Sequence, residues 1–176
     1  MSQKTWNSDK IVSISAILIS LLTLCVSLYQ TAMIRKQQRL SVLPYLSLGN
    51  YNTGGPNYKL ILSNNGIGPA FIESVEVEYQ NKTYPCDLPV FLGKHLKDSV
   101  KNIKKMSHSN IYPGRMIPAG TTLPLLAIHN SQKDANKLVL LLRRLKEQGM
   151  QFRIVYRSVY EERWRLSLES TIHEAL

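Results

Sequence analysis

The sequence predicts an N-terminal transmembrane helix followed by an α+β soluble domain, mainly antiparallel β-sheet of sandwich type with one or two helices. Three observations carry that expectation. No charged residue interrupts the run from Ile11 to Ile34; short alternating segments separated by Gly, Asn and Pro clusters fill the stretch after Pro44; and a last pair of alternating segments closes the chain. The organisation that follows is an N-terminal tail (1–10), a membrane helix (11–34), a juxtamembrane connector (35–43), one β-rich domain (44–170) and a C-terminal tail (171–176).

At about 1.5 Å per helical residue the apolar run is long enough for a hydrocarbon core of about 30 Å. A cleaved secretory signal is the competing reading, but its apolar region is shorter and ends in small residues, whereas here Tyr29, Gln30 and Met33 run into Arg35 and Lys36. A lipoprotein signal fits badly as well, because Leu24 precedes Cys25. Lys4 and Lys10 lie before the span, and Arg35, Lys36 and Arg39 after it, so the count of positive charges favours a cytoplasmic C-terminal domain by a small margin. Two isolated thiols, Cys25 in the span and Cys86 in the domain, suit the same reducing compartment. The expected location is the cell inner membrane, single-pass.

Within the span Ser13, Ala16, Ser20, Thr23, Ser27 and Gln30 fall at alternating steps of three and four, an a/d seam of small and polar residues. Lipid gives apolar helices no hydrophobic reason to associate, so close backbone approach and hydrogen bonds across such a seam are what drive it. A homo-oligomer is expected.

In the soluble part, a strand follows Pro44, a Gly/Asn/Pro loop occupies 50–57, and a strand from Tyr58 to Ser63 puts Leu60 and Leu62 on one face. The turn Asn64-Asn65-Gly66-Ile67-Gly68-Pro69-Ala70 leads into Phe71 to Tyr79, with a short strand near Thr83 to Cys86. A phosphate-cradling role for the glycines is disfavoured, since a strand rather than a helix follows and no Lys-Ser/Thr succeeds them. This strand, the Asn-x-Gly-x-Gly-Pro-Ala turn and Ile72-x-x-Val75-x-Val77 together resemble uncharacterised bacterial single-pass membrane proteins whose soluble part is similar to an immunoglobulin-like β-sandwich. The resemblance covers about Leu40 to Tyr84 and implies a fold, with no defined activity.

From Gly93 to Met106, Leu96, Val100, Ile103 and Met106 recur at helical spacing while Lys94, Lys97, Lys101, Lys104 and Lys105 lie elsewhere, which predicts a basic amphipathic helix. Thr122 to Ile128 reads as a strand, and Lys133 to Gln148 as a helix with Leu138, Leu141, Leu142 and Leu145 on one stripe and Gly149 as its stop. In the final pair, Phe152, Ile154, Tyr156 and Tyr160 alternate, as do Trp164, Leu166 and Leu168. A three-residue connection (Glu161, Glu162, Arg163) would pair Tyr160 with Trp164 and Tyr156 with Leu168, bringing both sets inside. Arg153, Arg157 and Arg165 then share the outer face.

A net charge of +10, from 22 Lys plus Arg against 12 Asp plus Glu, predicts anionic surroundings. Two anion-binding sets are expected: Lys97, Lys101, Lys104 and Lys105, and Arg153, Arg157 and Arg165 with Arg143 and Arg144. His95, His108, His129 and His173 have no metal-site spacing, Glu73, Glu76 and Glu78 read as charges on a solvated strand, and no nucleophile elbow, phosphate loop or dinucleotide turn occurs. No catalytic residue, cofactor or metal is expected, and no binding to double-stranded nucleic acid. The leading expectation is a non-enzymatic membrane protein that binds a ligand or protein partner. Its alternatives are an antiphage-defence effector gated by an anionic small molecule such as a cyclic nucleotide, and a passive membrane-complex scaffold.

Overall fold

The computed structural model describes residues 8–168 and 174–176. Lys4, His173 and the first half of the C-terminal tail (171–173) lie outside the described residues. The chain divides into two units, 1–41 and 42–176.

The first unit is helix α1, Ser8–Leu40, longer at both ends than the uncharged run. It is long and apolar enough to cross a membrane, and none of its residues is buried. Its 33 residues span about 50 Å, more than the thickness of a hydrocarbon core of about 30 Å. The hydroxyls of Ser13, Ser20, Thr23 and Ser27 each donate at 2.8 Å to a carbonyl one turn back in the same helix. Their protons are therefore spent locally, and what these four residues could offer a neighbour is a narrow profile and oxygen lone pairs.

The second unit is built on two antiparallel sheets with a common core. Strands β1 (Leu46–Tyr51), β2 (Lys59–Asn64), β5 (Met106–His108) and β7 (Thr122–Ile128) form one sheet, ordered β1-β2-β7-β5. The other runs β10-β9-β8-β3-β4, from β3 (Ala70–Tyr79), β4 (Lys82–Tyr84), β8 (Gln151–Arg157), β9 (Arg163–Ser167) and β10 (Glu174–Ala175), while β6 (Met116–Ile117) joins the start of β3. Alternation puts Leu46, Leu60 and Leu62 of the first sheet and Ile72, Val75, Val77, Phe152, Ile154, Tyr156 and Leu166 of the second into the core. The Leu46 amide donates to the Tyr156 hydroxyl at 3.4 Å, a direct link between the sheets. Three helices complete the domain: α2 (Leu88–His95), the single turn α3 (Lys97–Val100) and α4 (Gln132–Glu147). Helix α4 carries the chain from β7 in one sheet to β8 in the other. It buries Ala135, Leu138 and Leu145, half-buries Leu141 and Leu142, and ends before Gly149 at φ +79°.

The glycine turn has a structural task. Its amides at Asn65, Ile67 and Gly68 donate to the carbonyls of Tyr45 and Leu43, so the turn clasps the segment with which the domain begins. A Cβ on Gly68 would lie 1.8 Å from the Val42 carbonyl oxygen and one on Gly66 2.4 Å from that of Leu43, hence glycine at both. Asn64, 1% exposed, is the hub: its Oδ1 accepts from the amides of Tyr45 and Gly66, and its Nδ2 donates to the carbonyls of Gly68 and Ile117. With its amides engaged in this way the turn has none aimed at a phosphate.

Two expectations fail. The basic helix over 93–106 does not exist as one element. Its first residues end α2, which starts at Leu88 with Asp87 as N-cap, and Leu96 breaks the helix at φ −126°, ψ 34°. Lys97 opens α3, Lys101 caps it, Lys104 and Lys105 precede β5, and Met106 is a strand residue. The apolar spacing was that of four residues reaching one core from different elements. The closing hairpin is also shifted by four residues: Tyr156 pairs with Trp164 and Ile154 with Leu166. Ser158 takes the turn instead, its hydroxyl accepting from the amides of Tyr160 and Glu162 and its own amide donating to the Glu162 carbonyl, with Glu161 at φ +65°. An even shift preserves the faces, so both apolar sets still point inward, but Tyr160 is left in the loop, 46% exposed.

Candidate functional site

Arg153, Arg157 and Arg165 do share the outer face of the second sheet, but β3 lies beside them with carboxylates. Arg153 meets Glu78 at 2.6 Å and Glu76 at 3.4 Å; Arg157 meets Glu73 at 3.5 Å and Glu161 at 3.3 Å; Arg163 takes Glu73 at 3.1 Å; Arg165 takes Glu174 at 3.3 Å. A bulge in β3 between Ile72 and Ser74 sets Glu73 where two guanidiniums reach it. An incoming anion would have to displace these carboxylates. This face is a ladder of compensated charge.

The positive excess lies elsewhere. Segments 94–105 and 133–147 together hold ten Lys and Arg against Asp98, Asp134 and Glu147, and the fold joins them. The Lys105 amide donates to Asp134 Oδ2 at 3.2 Å, and Lys137 Nζ donates to the Asn102 carbonyl at 2.8 Å. Burial opposes ionisation of Asp134, but the amides of Lys105 and Lys104, the Ser131 hydroxyl and the Lys137 charge outweigh it and hold this carboxyl below its ordinary range. The two expected sets are thus regrouped: the lysine segment sits beside the first half of α4, and Arg143 and Arg144 are exposed near its end. Arg143 Nε pairs with Glu147 at 3.2 Å on the exposed surface.

The concavity that residue patterning missed is a groove of about 260 Å³ between the β1–β2 end of the first sheet and α4. Leu48, Leu60, Val139, Leu142 and Leu168 form its apolar walls; Asn50, Thr53 and Tyr58 supply polar groups; Arg143 and Lys146 are its cations. The Tyr58 hydroxyl donates to Asn50 Oδ1 at 2.7 Å, and burial pushes that phenol up to about 12, so it stays neutral. Of the expected site residues only Arg143 belongs here. The sequence signal was the flank of α4 where Val139, Arg143 and Lys146 stand beside Leu142, at the margin of the core stripe.

Other chemistry is sparse. A smaller cavity of about 200 Å³ contains half-buried Cys86, whose thiol is raised by burial and by Asp87 despite Lys94. Asp87 in the same cavity is engaged structurally, accepting from the amides of Val90 and Ile111 and from Asn110 Nδ2. Ser107 Oγ and His129 Nε2 are 2.6 Å apart but exposed, and neither lines a described cavity. Among the described residues no group of three His, Cys, Asp or Glu is placed to hold a metal ion. Comparison of the chain with protein-family models, with curated proteins and with solved structures finds no match.

Proposed function

We propose that this chain is a non-enzymatic, single-pass inner-membrane protein that self-associates through α1 and uses a cytoplasmic sandwich domain to bind a ligand or partner. The observation that carries the reading is the uncovered helix: no residue of α1 is buried, while the domain that follows has a core of its own. An apolar helix that contributes nothing to its domain's core needs lipid or other copies of itself to cover it. The groove beside α4 supports the binding half of the proposal, since it is an apolar concavity with few, localised polar groups.

The test of self-association is Ser20→Leu with Ser27→Leu. Bulk on the seam should shift full-length protein in detergent toward monomer in analytical ultracentrifugation. An unchanged oligomer would remove the helix from the association. A second reading, a membrane effector gated by a cyclic nucleotide, is favoured by the cation excess over 94–105 and 133–147. Native mass spectrometry of gently extracted protein separates the two: a retained nucleotide supports the effector, and an oligomer carrying a different ligand supports the first reading.

A further inference from the structure

We infer that the groove between β1 and α4 binds a single-chain anionic amphiphile, its apolar end between Leu48, Leu60, Val139 and Leu142 and its head group at Arg143 and Lys146. The inference rests on the ligand-binding reading above and names the ligand class. The Tyr58 hydroxyl has its acceptor in Asn50 Oδ1, Asn50 is exposed, and among the described residues no buried side-chain polar atom lacks a partner. An apolar chain can therefore enter without stranding a buried donor or acceptor. Arg143 and Lys146 stand three residues apart, on one side of α4. Among the described residues the only carboxylate bonded to Arg143 is Glu147 at 3.2 Å, and both partners are largely exposed (75% and 66%), so a ligand anion can displace it at little cost. The negative end of the α4 dipole opposes an anion here; Arg143, Arg144 and Lys146 in the last turns offset it.

Size selects within the class. A volume of about 260 Å³ falls below the range of about 300–1,000 Å³ for drug-sized ligands, which suits one chain end rather than a fused ring system. The walls carry one aromatic ring, Tyr58, so a stacked base is the poorer occupant. Each methylene buried should tighten binding about four-fold until the groove is full.

The experiment photolabels the full chain in phosphatidylcholine nanodiscs with a diazirine-bearing decanoate and, in a second arm, with a diazirine-bearing phosphatidylglycerol built into the disc. Label is expected in peptides spanning Leu48 to Leu60 or Val139 to Lys146. Arg143→Ala with Lys146→Ala, both exposed and outside the core, should reduce it about ten-fold or more. Labelling by decanoate supports the inference, and labelling by phosphatidylglycerol alone overturns the single-chain ligand in favour of a two-chain membrane lipid. Equal labelling by the matching diazirine alcohol overturns the anionic head group, and no label in the groove overturns the site. Native mass spectrometry on the same sample tells the two failures apart. Another ligand retained on the oligomer sinks only the amphiphile, and none retained sinks ligand binding as well.

Discussion

Replacing Asn64 with alanine should unfasten the start of the domain. The side chain accepts from the amides of Tyr45 and Gly66 and donates to the carbonyls of Gly68 and Ile117 at 2.9 and 3.0 Å. Tyr45 is 46% exposed, so water can replace the bond to its amide. Gly68 and Ile117 are buried, and their carbonyls would be left without this partner at about 1–2 kcal/mol each. The expected loss is about 2–4 kcal/mol, a large share of a typical stability of about 5–15 kcal/mol. In a domain of this size that lowers Tm by about 8–16 °C. Circular dichroism melts of the full-length protein in one detergent provide the measurement, with Asn65→Ala as the control. Asn65 is exposed and bonds only the Ser47 hydroxyl through its side chain, at 2.9 Å, so its loss should stay within about 0.5 kcal/mol. If the two variants melt together, Asn64 is not the hub and the clasp holds through its backbone bonds alone.

Two further outcomes follow from ionisation. Because the folded carboxyl of Asp134 lies below its ordinary value, its contribution is complete above the unfolded pKa of about 3.9 and is lost as pH falls through the folded value. Asp134→Asn should therefore flatten the acid limb of a stability–pH curve, and an acid limb of unchanged slope would contradict the assignment. Burial raises Tyr58 and Tyr156 to about 12, so they favour the fold below the unfolded pKa of about 10 and cease to as pH climbs through 12. In an alkaline titration followed by tyrosinate absorbance, Tyr58→Phe and Tyr156→Phe should each remove absorbance that develops near pH 12.

Periodicity identified the elements whose burial is regular. The strand at 122–128, the helix at 133–148 and the inward sets of the last hairpin all emerge where residue patterning places them. It failed where a side chain redirects the backbone. The Ser158 hydroxyl moves the hairpin turn, and Asp87 starts a helix five residues before Gly93, although an Asp followed by Leu-Pro is itself an N-cap signal. Spacing alone made one helix of Leu96, Val100, Ile103 and Met106, because residues on different elements can share a core without sharing an axis. The i, i+3 step from Ile72 to Val75 was visible, and it is the bulge that delivers Glu73 to Arg157 and Arg163.

That bulge bears on where an anion can bind. Arginine on alternate positions of a strand is ambiguous in sequence, because the neighbouring strand decides whether the row is an empty cradle or half of an ion-pair ladder. Here β3 decides it. Arg153 and Arg157 are each about one-third exposed and lie against carboxylates at 2.6–3.5 Å, so a phosphate arriving there gains the attraction of the guanidiniums and the repulsion of Glu73, Glu76 and Glu78 together. On α4 the balance is different. Arg143, Arg144 and Lys146 face a single nearby acid in sequence, Glu147, and two of the three cations stand at the groove. An anion would therefore meet less competing carboxylate among the described residues at the end of α4 than on the sheet, and substitution of Arg153 or Arg157 should affect stability before it affects any ligand binding.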